Sequence, residues 1–453
     1  MNSLFSLAAK NSVAVIAALL MITIMAALEL PNVQVKVSAQ GLIAEDDPAY
    51  IQYQQVLDTF GTSDSVAVIL RDDALFTLDK LQVISDVHER LAQLNFVDGI
   101  DSLFTLDNVT NVDGDVRFSP YLNPLPENQE ALQALVDKAL LNPFIEKNLV
   151  SEDATTMAIN LRLKSGEEFQ VSDSEIVSQI DALLKPLDGQ VGEVFALGLP
   201  YVLGGLSEMI VVDQKTVIPL SMLALLLVLL IALRRVTAVI LPLLTASMSV
   251  VWTLALMSLA GYSINVMTSI IPALLVVIGS TEDIHLLSSW YRARERGYSG
   301  TAAISMMAKT TGLAVLLTFM TTYLGFLSIS LNDITLLQEF GIVASTGLLV
   351  NFVITSTLVP ALLSWSRKPL KNVSDAGEKH ANDDDWYGRF AAYLHVVVNA
   401  RRRLVLSLTV ILSVFAIYWA NSIEVDNDNM SYFNKDAPIH YKSKVMHEFL
   451  AGT

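Results

Sequence analysis

Hydrophobic positions along the chain collect into seven runs, near 12–30, 216–233, 237–260, 264–288, 310–329, 335–364 and 403–420. Each is close to the roughly 20 apolar residues that a helix needs to cross a bilayer core. None carries Lys or Arg in its interior. In hydrocarbon a helix satisfies all of its own backbone polar groups, so seven transmembrane helices are expected. The first run has the place of a secretory signal, but its apolar core is longer than a signal's, and LELPNVQV (28–35) is a poor small-residue cleavage site. It reads as an uncleaved span.

The stretch 31–213 follows a different rhythm. β-rich apolar runs stand at Asp64–Arg71, Phe96–Phe104, Thr155–Lys164 and Val191–Leu199, and helical periodicity fits Pro48–Phe60, Leu75–Leu94, Asn128–Leu141 and Val171–Leu184. Strand–helix–strand occurring twice predicts a split βαβ, ferredoxin-like unit. The Pro/Asn-rich Asn108–Asn128 is expected as a crossover or an exposed flap.

Composition sharpens this division. The net charge of −17 resides in residues 31–213, which hold 30 acids and 10 bases; the remainder holds 16 acids and 19 bases. An acidic domain argues against a nucleic-acid partner. Most of its acids are read as a solvated face. Cysteine is absent and the six histidines form no HxxxH or HExxH pair, so no cofactor or metal is expected. No Walker motif or nucleophile elbow appears, so an enzyme is not expected. Of the 19 bases outside the domain, 15 fall on one side of the predicted spans: Lys10, Arg234, Arg235, Arg292, Arg294, Arg296, Lys309, Arg367, Lys368, Lys371, Lys379, Arg389 and Arg401–Arg403. The positive-inside rule makes that side, with the N-terminus, cytoplasmic. The large domain is then extracytoplasmic, and periplasmic in a cell with two membranes.

Self-comparison finds an internal repeat. Residues 35–62 align with 425–453 at an offset of 390, from Val35/Val425 through Asp46/Asp436 and Pro48/Pro438, and the same offset places Ser12 on Arg402 at the edge of the seventh run. The expectation is one complete repeat plus the opening of a second, in a fragment of a longer protein.

Chemistry concentrates in the fourth run, PALLVVIGSTEDIHLLSSWYRARERG (272–297). Glu282 and Asp283 sit side by side at membrane depth, where each ionised acid costs about 2.5–3.5 kcal/mol on insertion scales. Low dielectric and a like-charged neighbour both disfavour the ionised form of a carboxyl. Adjacent acids are therefore suited to exchanging protons near neutral pH. Successive helix positions diverge by about 100°, so both acids can face an interior cavity but not each other. Glu282, His285 and Ser289 are expected on one face, and Asp283 over Gly279 and Leu287. A fifth run rich in Thr318, Thr321, Thr322 and Gly325 offers close helix approach and hydrogen bonds. His285, Thr318 and Thr322 are the expected supporting residues of a relay, with ordinary helix packing as the competing reading for each. Asp333 and Glu339 are placed near the outer interface.

The acidic TED after Gly279, with TFMTTYLGFLSISLNDI, LQEFG and TSTLVPALLSW, resembles the membrane half of RND transporters. It is most similar to MMPL-type exporters, which also contain a sterol-sensing-like helix set. The resemblance covers nearly the whole chain. It implies two pseudo-repeated halves with twelve spans, an acidic pair in the fourth span that carries protons, and lipid or other hydrophobic substrates. Many relatives have Asp-Asp or Asp-Tyr where this chain has Glu282-Asp283, and the partner residues of the tenth span have no counterpart here.

The expected fold is thus a polytopic α-helical membrane protein with an extracytoplasmic α/β domain of ferredoxin-like, RND porter type, as half of a pseudo-twofold repeat. Its parts are a first span (1–30), the outer domain (31–213), five spans (214–366), a cytoplasmic linker (367–402) with an amphipathic helix at Trp386–Ala400, a seventh span (403–420) and the start of a second outer domain (421–453). The expected partners are a lipid or other hydrophobic substrate, protons, the inner (cytoplasmic) membrane of the cell, in which the chain is expected to lie, a second half of the same protein, and further copies in a dimer or trimer. The leading function is proton-driven export; a proton crossing about 100 mV releases about 2.3 kcal/mol. A sterol-sensing-like lipid receptor or scaffold, and the SecD/SecF branch of protein export, are the competing readings.

Overall fold

The computed structural model describes residues 2–37, 41, 43, 46–60, 64–112, 115–164, 171–233, 236–366, 386–423 and 429–450. In chain order the helices are α1 (Asn2–Lys10), α2 (Ser12–Glu29), α3 (Pro48–Phe60), α4 (Leu78–Ala92), α5 (Gln129–Leu140), α6 (Asp173–Leu184), α7 (Leu199–Leu233), α8 (Val236–Leu259), α9 (Ile271–Glu295), α10 (Gly300–Thr310), α11 (Gly312–Ile329), α12 (Thr335–Ser364), α13 (Trp386–Ala400), α14 (Arg402–Ala420) and α15 (Pro438–Phe449). The strands are β1 (Ser65–Arg71), β2 (Val97–Asp101), β3 (Asp107–Val112), β4 (Asp115–Pro120), β5 (Thr156–Leu163) and β6 (Glu193–Gly198).

β1, β2, β5 and β6 form one antiparallel sheet in the order β2-β5-β1-β6. A helix follows the first strand and another follows the third, which is the split βαβ topology that the sequence pattern predicts. Side chains alternate across the sheet. Val66, Val68, Leu70, Ile159 and Leu161 face the core with Leu81, Ile84 and Leu91 of α4 and Ile176 and Ile180 of α6. Asn128 and Ser172 cap α5 and α6, each side-chain oxygen accepting a backbone N–H of the first turn. Asn108–Asn128 contributes a two-stranded hairpin, β3–β4, so the flap reading holds for its first part.

The other face of the sheet, with Ala67, Ile69, Ala158 and Phe195, is covered by Val445, Met446, Phe449 and Leu450 of α15 and the residue after it. Arg71 lies 4.1 Å over the Phe449 ring, and Tyr441 donates to Glu193 at 3.1 Å. α15, which the repeat assigns to the opening of a second domain, packs on the sheet of the first. Its apolar stripe needs a sheet face, and this face is open. The repeat itself is visible in the helices, since Pro48 and Pro438 begin α3 and α15, and Ser12 and Arg402 begin α2 and α14.

Buried His88 bridges to Ser102 at 3.0 Å and tilts against Phe104, with ring centroids 5.2 Å apart. Burial lowers its pKa. An imidazole held neutral in the fold binds its proton more readily when unfolded, so this contribution is intact above the unfolded value and is lost as pH falls below about 6.5. Asp173, pushed up to about 6 by burial and then by Asp64, works in the opposite sense. The expected result is therefore read as a difference: lowering the pH from about 7.5 to 5.5 destabilises the outer domain more in wild type than in His88→Gln. Thermal unfolding of the two proteins with identical acid sensitivity would count against it.

Seven helices among the described residues are long and apolar enough to span a membrane. The second does not begin at 216. α7 is a continuous helix of 35 residues that starts directly after β6. At 1.5 Å per residue it is about 52 Å long, against a hydrocarbon core of about 30 Å. The helix is longer than the hydrocarbon core and runs unbroken from the sheet into the bundle, so no break in the structure falls at residue 213. Two helices escaped the apolar-run criterion because they are short and mixed. α1 packs its buried Phe5 and Ala8 against α10 and α12 on the side opposite the domain. Trp252 Nε1 donates to Thr23 at 2.9 Å and Trp365 Nε1 to Ser12 at 2.8 Å, tying α2 to α8 and α12. α13 is helical, as its spacing predicts. The bases Arg234, Arg235, Arg367, Lys368, Lys371 and Lys379 lie outside the described residues.

Candidate functional site

α9 starts at Ile271 with Pro272 in its first turn, where a missing N–H has no helical partner to lose. Near its middle Glu282 is 4% and Asp283 0% exposed. Three helices meet around Asp283, each offering two positions one turn apart: Gly279 and Asp283 on α9, Thr245 and Ser249 on α8, Asn351 and Thr355 on α12. Residues four apart share a helix face, and all the polar ones are buried.

The Thr245 hydroxyl donates to Asp283 Oδ2. The Thr355 hydroxyl stands beside the Asp283 carboxyl. Ser249 Oγ lies 2.9 Å from Asn351 Oδ1 and 2.8 Å from the Thr245 carbonyl, either of which can take its proton. Gly279 lets the Asn351 amide lie against the α9 backbone; a Cβ there would stand 2.8 Å from Asn351 Cγ. Among the described residues the buried Glu282 Oε2 and Ser356 Oγ have no hydrogen-bond partner. Unsatisfied buried oxygens are costly, and natural proteins concentrate them where chemistry requires it.

The supporting residues expected from sequence are elsewhere. His285 is exposed on the opposite face of α9, while Glu282 and Ser289 are buried; the shared face therefore divides at the bundle surface. Ser289 hydrogen-bonds Thr310 at 2.8 Å. Thr318 is exposed, Thr321 and Thr322 both donate to its carbonyl, and no described atom approaches the Cβ position of Gly325. Toward the domain side Asn265 donates to Glu339, in the first turns of α12, at 2.8 Å. Thr245, Ser249, Asn351 and Thr355 escaped the sequence reading. Their signal, polar residues four apart on two apolar runs, is shared by many packing faces.

Seven candidate spans joined to an α/β sheet domain, with two carboxyls buried near the middle of one of them, define a multi-pass membrane protein. The MMPL family profile matches residues 121–396, more than half of the chain. The chain belongs to the MMPL family of the RND superfamily, a family of membrane transporters. It is similar to the membrane protein MJ1562 of Methanocaldococcus jannaschii, with 25% identity over 350 residues that cover 76% of this chain and 88% of that protein.

Proposed function

We propose that the chain exports lipids or other hydrophobic molecules and draws the energy from protons taken up and released at Glu282 and Asp283. The observation that carries this reading is the pair of buried carboxyls at mid-span, set among hydroxyls and an amide with no Lys or Arg among their described hydrogen-bond partners. Ionisable groups inside a membrane mark ion and proton pathways. A cavity of about 700 Å³ where α7 leaves the sheet domain supports a hydrophobic cargo. Val35, Val177, Leu197 and Phe433 line it, with Asp181, Glu208 and Lys442 as charged groups.

The test is uptake of fluorescent lipids into inside-out vesicles under an imposed proton gradient. Uptake that a protonophore abolishes is expected. Binding of lipid with no gradient-dependent uptake would favour the receptor reading.

The face bearing Lys10, Arg292, Arg296 and Lys309 is cytoplasmic in this proposal, and the sheet domain lies outside. An impermeant thiol reagent should label Leu141→Cys, at an exposed site on the domain, from outside intact cells. Tyr298→Cys should label only after the cells are opened. The reverse pattern would overturn the orientation. α13, with Phe390, Tyr393 and Leu394 exposed and Arg401–Arg403 following, is proposed to lie on the inner membrane surface.

A further inference from the structure

We propose that Thr245 converts the charge state of Asp283 into a bend of α8, and that α8 passes this movement to the outer domain; the proposal rests on the proton-coupled reading above. Thr245 has one hydroxyl proton and three acceptors within reach: Asp283 Oδ2, the Pro242 carbonyl at 3.0 Å and the Leu241 carbonyl at 3.2 Å. It is fully buried, so water does not compete for that proton.

When Asp283 is ionised it accepts the hydroxyl proton and both carbonyls lose it. When Asp283 takes up a proton, its own O–H donates to Thr245 Oγ, and the hydroxyl proton turns back to the helix carbonyl. Only the proton on the carboxyl enters or leaves; the hydroxyl merely reorients. A threonine that bonds back to its own helix tends to bend it. This turn is already weakened, because Pro242 has no N–H to offer the carbonyl of Ala238.

The charged groups around the switch are few. Glu282 is the acidic neighbour on α9, and His285 points away on the exposed face. Among the described residues, α8 and α11 contain no charged residue, α2 contains only Glu29 and α12 only Glu339, α7 carries Glu208, Asp213 and Lys215 in its domain-side half, and α10 carries Lys309 in its last turn. Thr245 is thus a neutral reader placed against one titrating carboxyl.

The route outward is continuous. At the domain end of α8, Ser258 donates to Glu29 at 3.0 Å. The loop that follows pairs with the segment leading from α2 into the domain: Ile264 N–H donates to the Gln34 carbonyl at 2.8 Å, and Lys36 N–H to the Ile264 carbonyl at 2.9 Å. A change of direction in α8 at residues 241–245 swings this pair at its far end.

The test follows hydrogen exchange of the Ile264 and Lys36 amides in the full chain in lipid nanodiscs at about pH 5.5 and 8, with the infrared carboxyl stretch as an independent reading of Asp283. Wild type should change its protection factor, the exchange rate corrected for the intrinsic base catalysis at each pH, by roughly fivefold between the two conditions, the weight of one hydrogen bond. Thr245→Val and Asp283→Asn should both lose that response, and Thr245→Ser should keep it. Where Thr245→Val does not fold, Thr245→Ala takes its place. A pH response retained in Thr245→Val, or absent in wild type while the carboxyl band that Asp283→Asn removes still titrates, overturns this proposal and leaves proton coupling standing. A wild type with no such carboxyl band overturns both.

Discussion

Asp283→Asn is expected to abolish the proposed gradient-driven export while leaving the protein inserted and folded. Asn keeps the size of Asp and can still bond to Thr245, but it cannot bind or release a proton. Loss of a positioned proton-transfer group commonly costs about 10²–10⁴ in rate, so a fall of roughly a hundredfold or more is expected. Glu282→Gln should be as damaging if the acids share the work, and milder if Glu282 is a structural neighbour. His285→Ala should cost least, because His285 faces away from the three-helix junction. The measurement is gradient-driven lipid uptake in inside-out vesicles across about pH 5.5–8, where histidine-like and carboxyl titrations of buried sites commonly fall. Wild-type rates in Asp283→Asn at every pH would remove Asp283 from the mechanism and favour the lipid receptor.

Gly279→Ala is expected to destabilise the bundle, against the ordinary preference for alanine in a helix. In an open helix that change is worth about 1 kcal/mol in favour of Ala. At Gly279 the added carbon would lie 2.8 Å from Asn351 Cγ and 2.9 Å from its amide nitrogen. Asn351 is 1% exposed and its amide oxygen is within bonding distance of Ser249, so it has little room to withdraw. Overpacking of this kind costs about 1–3 kcal/mol, which outweighs the propensity gain. The variant should melt lower in detergent and lose export, whereas Gly325→Ala, whose Cβ position meets no described atom, should be tolerated on both counts. A Gly279→Ala protein as stable and active as wild type would show that α9 and α12 are not held at this spacing.

Much of this protein could be read from the order of its residues. Hydropathy is a local property, so the seven spans and the acidic sheet domain emerge from runs and charge counts. The period-2 and period-3.6 patterns named β1, β5, β6, α4 and α6 to within a few residues, because each of these elements buries one face against a single core. Glu282 and Asp283 were conspicuous because charge is so costly inside an apolar run.

What packing decided is which helix faces meet. Thr245, Ser249, Asn351 and Thr355 lie on α8 and α12, separated from Asp283 by about 30 to 70 positions along the chain, and only the approach of three helices makes them neighbours. The same approach turned His285 outward although it lies two residues from Asp283, since adjacent helix positions differ by about 100°. The seating of α15 on the first domain's sheet and the unbroken passage of α7 from sheet to membrane belong to the same class. Each depends on a surface contributed by a distant segment, and no local period or composition records what a face will be packed against.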